Sequence, residues 1–157
     1  MHPFFNYPGL WEGVTYNIAT IRLPFSATLN DYVQPIRLPR LSDTRTYEKM
    51  EGTVTTGDYQ YGLYYLRNQV MSNADCQRDI LHHLIPDQQM CTDTYIGGAF
   101  NSRRYGAPLT IEDGNGRVLV GLADFWKWTP NSYPTRFVRV AYFRDWIQTN
   151  TDYIFQF

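Results

Sequence analysis

Leu109-Thr110-Ile111-Glu112-Asp113-Gly114-Asn115-Gly116-Arg117-Val118-Leu119-Val120-Gly121-Leu122-Ala123-Asp124-Phe125 places two apolar, β-branched runs on either side of a cluster of Asp, Asn and Gly. Residues that tolerate positive φ at the centre of such a pair reverse the chain, so Leu109 to Ile111 and Arg117 to Phe125 read as the arms of a β-hairpin. Similar β-branched, aromatic or alternating runs recur at Tyr16 to Leu23, Thr53 to Thr56, Gly62 to Met71, Gln89 to Thr92 and Arg136 to Val140. Together they predict an all-β chain of short strands divided by turns. Two helices interrupt the pattern. One follows Ser72-Asn73, whose side chains can cap exposed N–H groups, and one spans Ala141 to Thr149, where Phe143, Trp146 and Ile147 recur at i, i+3, i+4. The run from Asp31 to Met50, with Pro35, Pro39, Arg40, Ser42 and Asp43, reads as an extended connection.

The 157 residues, 43% hydrophobic and 18% charged, suit one globular domain that buries roughly 70% of the surface its unfolded chain exposes. Fourteen Lys and Arg against 15 Asp and Glu leave a formal net charge of -1, which offers no electrostatic handle to nucleic acid or to an anionic membrane. No run approaches the roughly 18 continuous apolar residues of a membrane span, and Met1-His2-Pro3-Phe4 lacks the basic start and apolar run of a signal peptide. Cys76 and Cys91 stand in no metal-ligand spacing, so they are either one disulfide or two separate buried thiols.

His82 and His83 are adjacent, so on a helix their side chains point in different directions; a surface or capping role is expected for them and for His2. No metal and no cofactor is expected, and there is neither a Gly-x-Ser-x-Gly elbow nor a phosphate loop. Of the four tryptophans, Trp11, Trp126, Trp128 and Trp146, the last falls on the apolar helix face and reads as core, whereas Trp126 and Trp128 are candidates for an exposed patch.

The segment Tyr16-Asn17-Ile18-Ala19-Thr20-Ile21-Arg22-Leu23, followed by Leu29 to Pro39 with its Val33-Gln34-Pro35-Ile36-Arg37-Leu38-Pro39, resembles a stretch of trypsin and chymotrypsin relatives. That stretch reads Asn-Asp-Ile-Ala-Leu-Ile, then Val-Gln-Pro-Ile-x-Leu-Pro. Further landmarks come in the family's order: Val70-Met71-Ser72-Asn73-Ala74-Asp75-Cys76, Gln89-Met90-Cys91-Thr92, Gly106-Ala107-Pro108-Leu109, and Phe137-Val138-Arg139-Val140 leading into Asp145-Trp146-Ile147. The resemblance runs from Tyr16 to Thr149 and is strongest to insect digestive and salivary chymotrypsin or collagenase-like members. It implies the second of the family's two barrels, a chymotrypsin-like Greek-key antiparallel β-barrel closed by a C-terminal α-helix. On this reading residues 1–30 are the end of the first barrel, otherwise largely missing, 31–50 the inter-barrel connection, and 51–157 the second barrel with its helix. The resemblance also implies a Cys76–Cys91 disulfide and an extracellular location.

The family's chemistry uses a Ser nucleophile, a His base and a buried carboxylate that holds the imidazole in the required tautomer. The resemblance puts Asn17 in the carboxylate's place, a neutral amide, and a change of that kind lowers turnover by about 10⁴ in the best-known example. Where Gly-Asp-Ser-Gly-Gly-Pro is expected, this chain has Arg103-Arg104-Tyr105-Gly106-Ala107-Pro108. Tyr105 stands for the nucleophile, but its oxygen lies several ångströms farther from the backbone than a Ser oxygen, and a phenol with an ordinary pKa of about 10 stays protonated without a base beside it. Arg103 replaces the oxyanion-hole glycine, and Arg104 replaces the aspartate that pairs with the new N-terminus on activation. On the same reading the barrel that carries the catalytic His is largely missing and the His with it.

In the implied substrate pocket Ala123-Asp124-Phe125-Trp126 stands where proteases end a strand in Ser-Phe-Gly or Ser-Trp-Gly, and Thr135 stands where a second wall glycine is expected. Trp126 and Thr135 should fill the pocket. The expectation is a non-catalytic serine protease homologue, a pseudoenzyme acting as a binding or regulatory module on an active protease, on a protease substrate or on a second copy of itself. A truncated or degenerate product with no evolved function is the alternative, and a residual serine-type endopeptidase would need a nucleophile that the sequence does not name.

Overall fold

The computed structural model describes residues 1–7, 14–58, 62–80, 84–98, 105–124 and 134–157. In chain order the elements are β1 (Glu51–Asp58), β2 (Gly62–Met71), α1 (Asn73–Asp79), β3 (Gln89–Thr92), β4 (Pro108–Glu112), β5 (Arg117–Ala123), β6 (Thr135–Arg139), a 3₁₀ turn over Val140–Phe143 and α2 (Arg144–Asn150). The strands pair antiparallel and close into a barrel in the order β1-β2-β3-β6-β5-β4. With β4 returning to lie beside β1, the first four strands form a Greek key.

Alternation fills the barrel. Val54, Val70, Met90, Leu109, Ile111, Val118, Val120 and Phe137 point inward and are buried together, each such side chain contributing on the order of 2 kcal/mol of apolar burial. Gly121 lets the strands approach, since a Cβ there would lie 3.0 Å from Cβ of Phe137 and 3.3 Å from Cβ of Leu109. The β4–β5 hairpin turns where its Asp-Gly-Asn-Gly chemistry places it, with φ of 82° at Gly114 and 103° at Gly116. Ser72 caps α1 by accepting the Asp75 N–H at 3.0 Å.

A second apolar cluster joins the barrel wall to the C-terminal helix: Ile18, Val138, Val140, Phe143, Ile147 and Phe155 are buried, with Trp146 packed partly against them. The expected helix over Ala141 to Thr149 is therefore present, but its first turn is 3₁₀ and includes Val140, which the sequence assigned to a strand. Arg139 ties this end to α1 and β3, donating to the carbonyls of Asp87 at 3.0 Å and Gln89 at 3.1 Å and to the Asn73 side chain at 3.3 Å.

One expected strand is absent. Between Tyr16 and Leu23 no residue belongs to a strand. The nearest pairing is an isolated bridge between Asn6 and Thr15. Alternation alone does not make a strand; the backbone N–H and C=O groups need a neighbouring chain along their length, and among the described residues the Ile18 carbonyl accepts the His2 N–H at 2.9 Å but no ladder follows. Ile18 turns into the α2 cluster, while Ile21 and Phe25 stand 87% and 84% exposed. Phe125, the last residue of another expected strand, lies outside the described residues.

Candidate functional site

Three of the singled-out positions meet at one end of β5. The Asp124 backbone continues the strand and donates its N–H to the Arg136 carbonyl of β6 at 3.0 Å; one residue earlier, Ala123 accepts the Gly106 N–H at 2.8 Å and donates to Ala107 at 2.8 Å. The turn carrying Tyr105 is thereby fastened to the same strand end as Asp124, and the positive φ of 77° at Gly106 explains the glycine there. Asn17 reaches this point from the N-terminal segment and donates its side-chain amide to Asp124 Oδ1 at 2.8 Å.

Asp124 is 1% exposed. Its other oxygen, Oδ2, accepts from the Gln89 amide at 3.1 Å and faces Arg136 Nη2 at 3.5 Å. Gln89 in turn donates to the Val14 carbonyl at 2.8 Å. Burial pushes the Asp124 carboxyl above its ordinary range, against the pull of Arg136, Asn17 and Gln89. Burial acts the opposite way on Arg136, which its pairing with Asp124 partly offsets. The result is a buried ion pair with amide donors around it, closed to solvent.

Tyr105 differs in character: its side chain is 59% exposed. Among the described residues no serine or histidine is hydrogen-bonded to Tyr105 or to Asp124, and no group of side chains is suited to hold a metal ion. A phenol in solvent without a base has the ordinary reactivity of tyrosine. Thr135 is buried at the start of β6, opposite Thr92 in the ladder. Arg103, Arg104, Trp126 and Trp128 lie outside the described residues, as do Trp11, His82 and His83.

Cys76 in α1 and Cys91 in β3 are joined by a disulfide, both fully buried beside Ile85. His2 corrects the surface expectation. It is buried, stacked on Tyr16 at 4.8 Å between centroids and in contact with Phe143 and Trp146; its Nδ1 accepts the Phe4 N–H at 3.1 Å, so only the capping half of the expectation applies. Gln89 and Arg136, which complete the Asp124 cluster, fall in runs that the sequence marks only as strands. The one available signal was a charged side chain inside the apolar run of β6.

The Trypsin family model matches residues 2–147. The chain is 32% identical over 145 residues to brachyurin of Leptuca pugilator, covering 88% of this chain and 62% of the relative, and 30% identical over 146 residues to collagenase of Hypoderma lineatum, covering 88% and 55%. It thus spans roughly three-fifths of the length of these relatives. Among solved structures, HL collagenase superposes with a TM-score of 0.66 at 28% identity, covering 82% of this chain and 58% of that one. The scabies mite inactivated protease paralogue S-I1 gives 0.62 at 23% identity, covering 74% and 52%, a likeness of fold. A single six-stranded antiparallel barrel with a C-terminal helix, matched over nearly its whole length by that family model, places this chain in the trypsin-like serine protease family.

Proposed function

We propose that this chain is a non-catalytic serine protease homologue that works as a binding or regulatory module. The observation that carries the reading is the bond from Asn17 to Asp124: the position that resemblance gives to the imidazole-orienting carboxylate holds a neutral donor, already committed to a buried acid. An amide so engaged is not available to orient an imidazole or to stabilise its charged form. The exposed Tyr105 phenol in the nucleophile's place, with no described base bonded to it, supports the same conclusion.

A module that binds rather than cuts needs an accessible surface. Ile21, Phe25 and Tyr32, the last 96% exposed, leave the N-terminal arm with exposed apolar side chains for an active protease, a protease substrate or a second copy to cover. The proposed location is extracellular, where a disulfide such as Cys76–Cys91 persists. Purified protein incubated with peptide and ester substrates should give hydrolysis no faster than buffer. Turnover that scales with protein and disappears in Tyr105→Ala would refute the proposal.

The same exposed apolar arm favours a second reading, a degenerate product with no evolved function, which would aggregate or unfold without cooperativity. A cooperative melt of a discrete, soluble species would exclude it.

A further inference from the structure

Away from the Asp124 cluster, the segment 37–45 and the β4–β5 hairpin border an open cleft of about 350 Å³. Arg37, Arg40 and Arg45 are among its lining residues, against two acidic ones, Asp43 and Asp113. This is a local excess of one positive charge on a chain whose formal net charge is -1.

Both carboxylates are already engaged. Asp43 accepts from Arg45 Nε at 2.8 Å and from the Tyr47 hydroxyl at 2.8 Å. Asp113 accepts from Arg37 Nη2 at 2.7 Å and from the Asn115 N–H at 3.1 Å, with Arg45 Nη2 at 3.4 Å from its second oxygen. The Arg37 Nη2 group also donates to the Gly116 carbonyl at 2.8 Å. These contacts hold Arg37 and Arg45 in place while leaving each guanidinium with further N–H donors.

Arg40 is exposed; its carbonyl accepts the Asp43 N–H at 3.1 Å, but its guanidinium has no hydrogen bond or ion pair among the described residues, nor have the Ser42 and Thr44 hydroxyls on this rim. The groups that remain unsatisfied in the cleft are therefore mainly donors, and a cation entering it would find both carboxylates neutralised. A compact anion would find one arginine with an unpaired guanidinium lining the same cleft as two whose guanidinium groups are held in place, and arginine suits multidentate recognition of oxyanions. We propose that this cleft binds a tetrahedral oxyanion of the phosphate or sulfate class, held by Arg40 with Arg37 and Arg45.

The test is amide NMR of the intact chain titrated with sodium sulfate or inorganic phosphate, with sodium chloride holding the ionic strength constant. Saturable shifts are expected within residues 37–45 and 113–118, and Arg40→Gln should weaken the binding by at least about fivefold while leaving the remaining amide spectrum and the melting temperature unchanged. Shifts that match those from chloride alone, or an affinity unchanged in Arg40→Gln, would overturn the site. A sugar sulfate monoester run in parallel separates the sources: tighter binding than free sulfate assigns an esterified ligand, and equal or weaker binding assigns the free ion. None of these readouts depends on whether the chain hydrolyses peptides.

Discussion

Replacing Arg136 by Met tests the buried cluster at the end of β5. Arg136 and Asp124 have side chains 7% and 1% exposed, with 3.5 Å between Nη2 and Oδ2. At an effective dielectric constant of about 20, that separation corresponds to roughly 5 kcal/mol of attraction, and breaking such a pair from one side costs about 3–5 kcal/mol because a charge is left buried and unpaired. The carboxylate has an escape. Without Arg136 the folded state can keep Asp124 protonated, which at about pH 7 limits the penalty to roughly 4 kcal/mol, since the unfolded carboxyl titrates near 3.9.

The sign of the pH dependence follows. In Arg136→Met the folded state binds the Asp124 proton and the unfolded state does not, so stability falls as pH rises above the unfolded value until the raised folded pKa is passed, by about 1.4 kcal/mol per pH unit. The deficit against the parent should therefore shrink to roughly 1.5 kcal/mol at about pH 5. Adding Asp124→Asn should restore most of the lost stability, because both charges are then gone. Urea denaturation followed by circular dichroism measures all three proteins. A loss under about 1 kcal/mol for Arg136→Met at neutral pH, or a double variant no more stable than the single one, would refute this reasoning.

The disulfide joins cysteines 15 positions apart, a loop whose closure is worth about 3 kcal/mol; Cys76→Ala/Cys91→Ala should lower the melting temperature by roughly 6–12 °C, and an unchanged melt would show that the bond adds nothing. At the acid end, the hydrogen bond from Arg45, aided by the Tyr47 hydroxyl, holds the Asp43 carboxyl well below its ordinary 3.8, overcoming the opposing effect of burial. The stability it contributes is present above about pH 4 and lost as pH falls further. Asp43→Asn should therefore melt lower than the parent near neutrality and converge with it in strong acid, which thermal scans across that range would check; parallel curves would argue against the assignment.

The barrel was legible because its information is local. The alternating run at Gly62–Met71 and the short run at Gln89–Thr92 mark strands, Asp113-Gly114-Asn115-Gly116 marks the hairpin, and Ser72 marks the start of α1. The failure at Tyr16 to Leu23 has the same cause inverted: the pattern is local, but a strand also requires a partner, and alternation does not report whether one exists.

The site was only half legible, and register explains why. Asn17 and Asp124 could each be named from motif position, yet their bond spans 107 positions, and Arg136 joins it through the pairing of β6 with β5 and Gln89 through the pairing of β6 with β3. In that ladder Met90 faces Phe137 and Cys91 faces Arg136. Slipping β6 by one residue would send Phe137 out of the barrel core and carry Arg136 away from Asp124. The cost of uncovering an aromatic core residue and the cost of stranding a buried carboxylate therefore fall on the same misregistration. Packing and charge oppose that slip together, although only the packing could be read from the sequence.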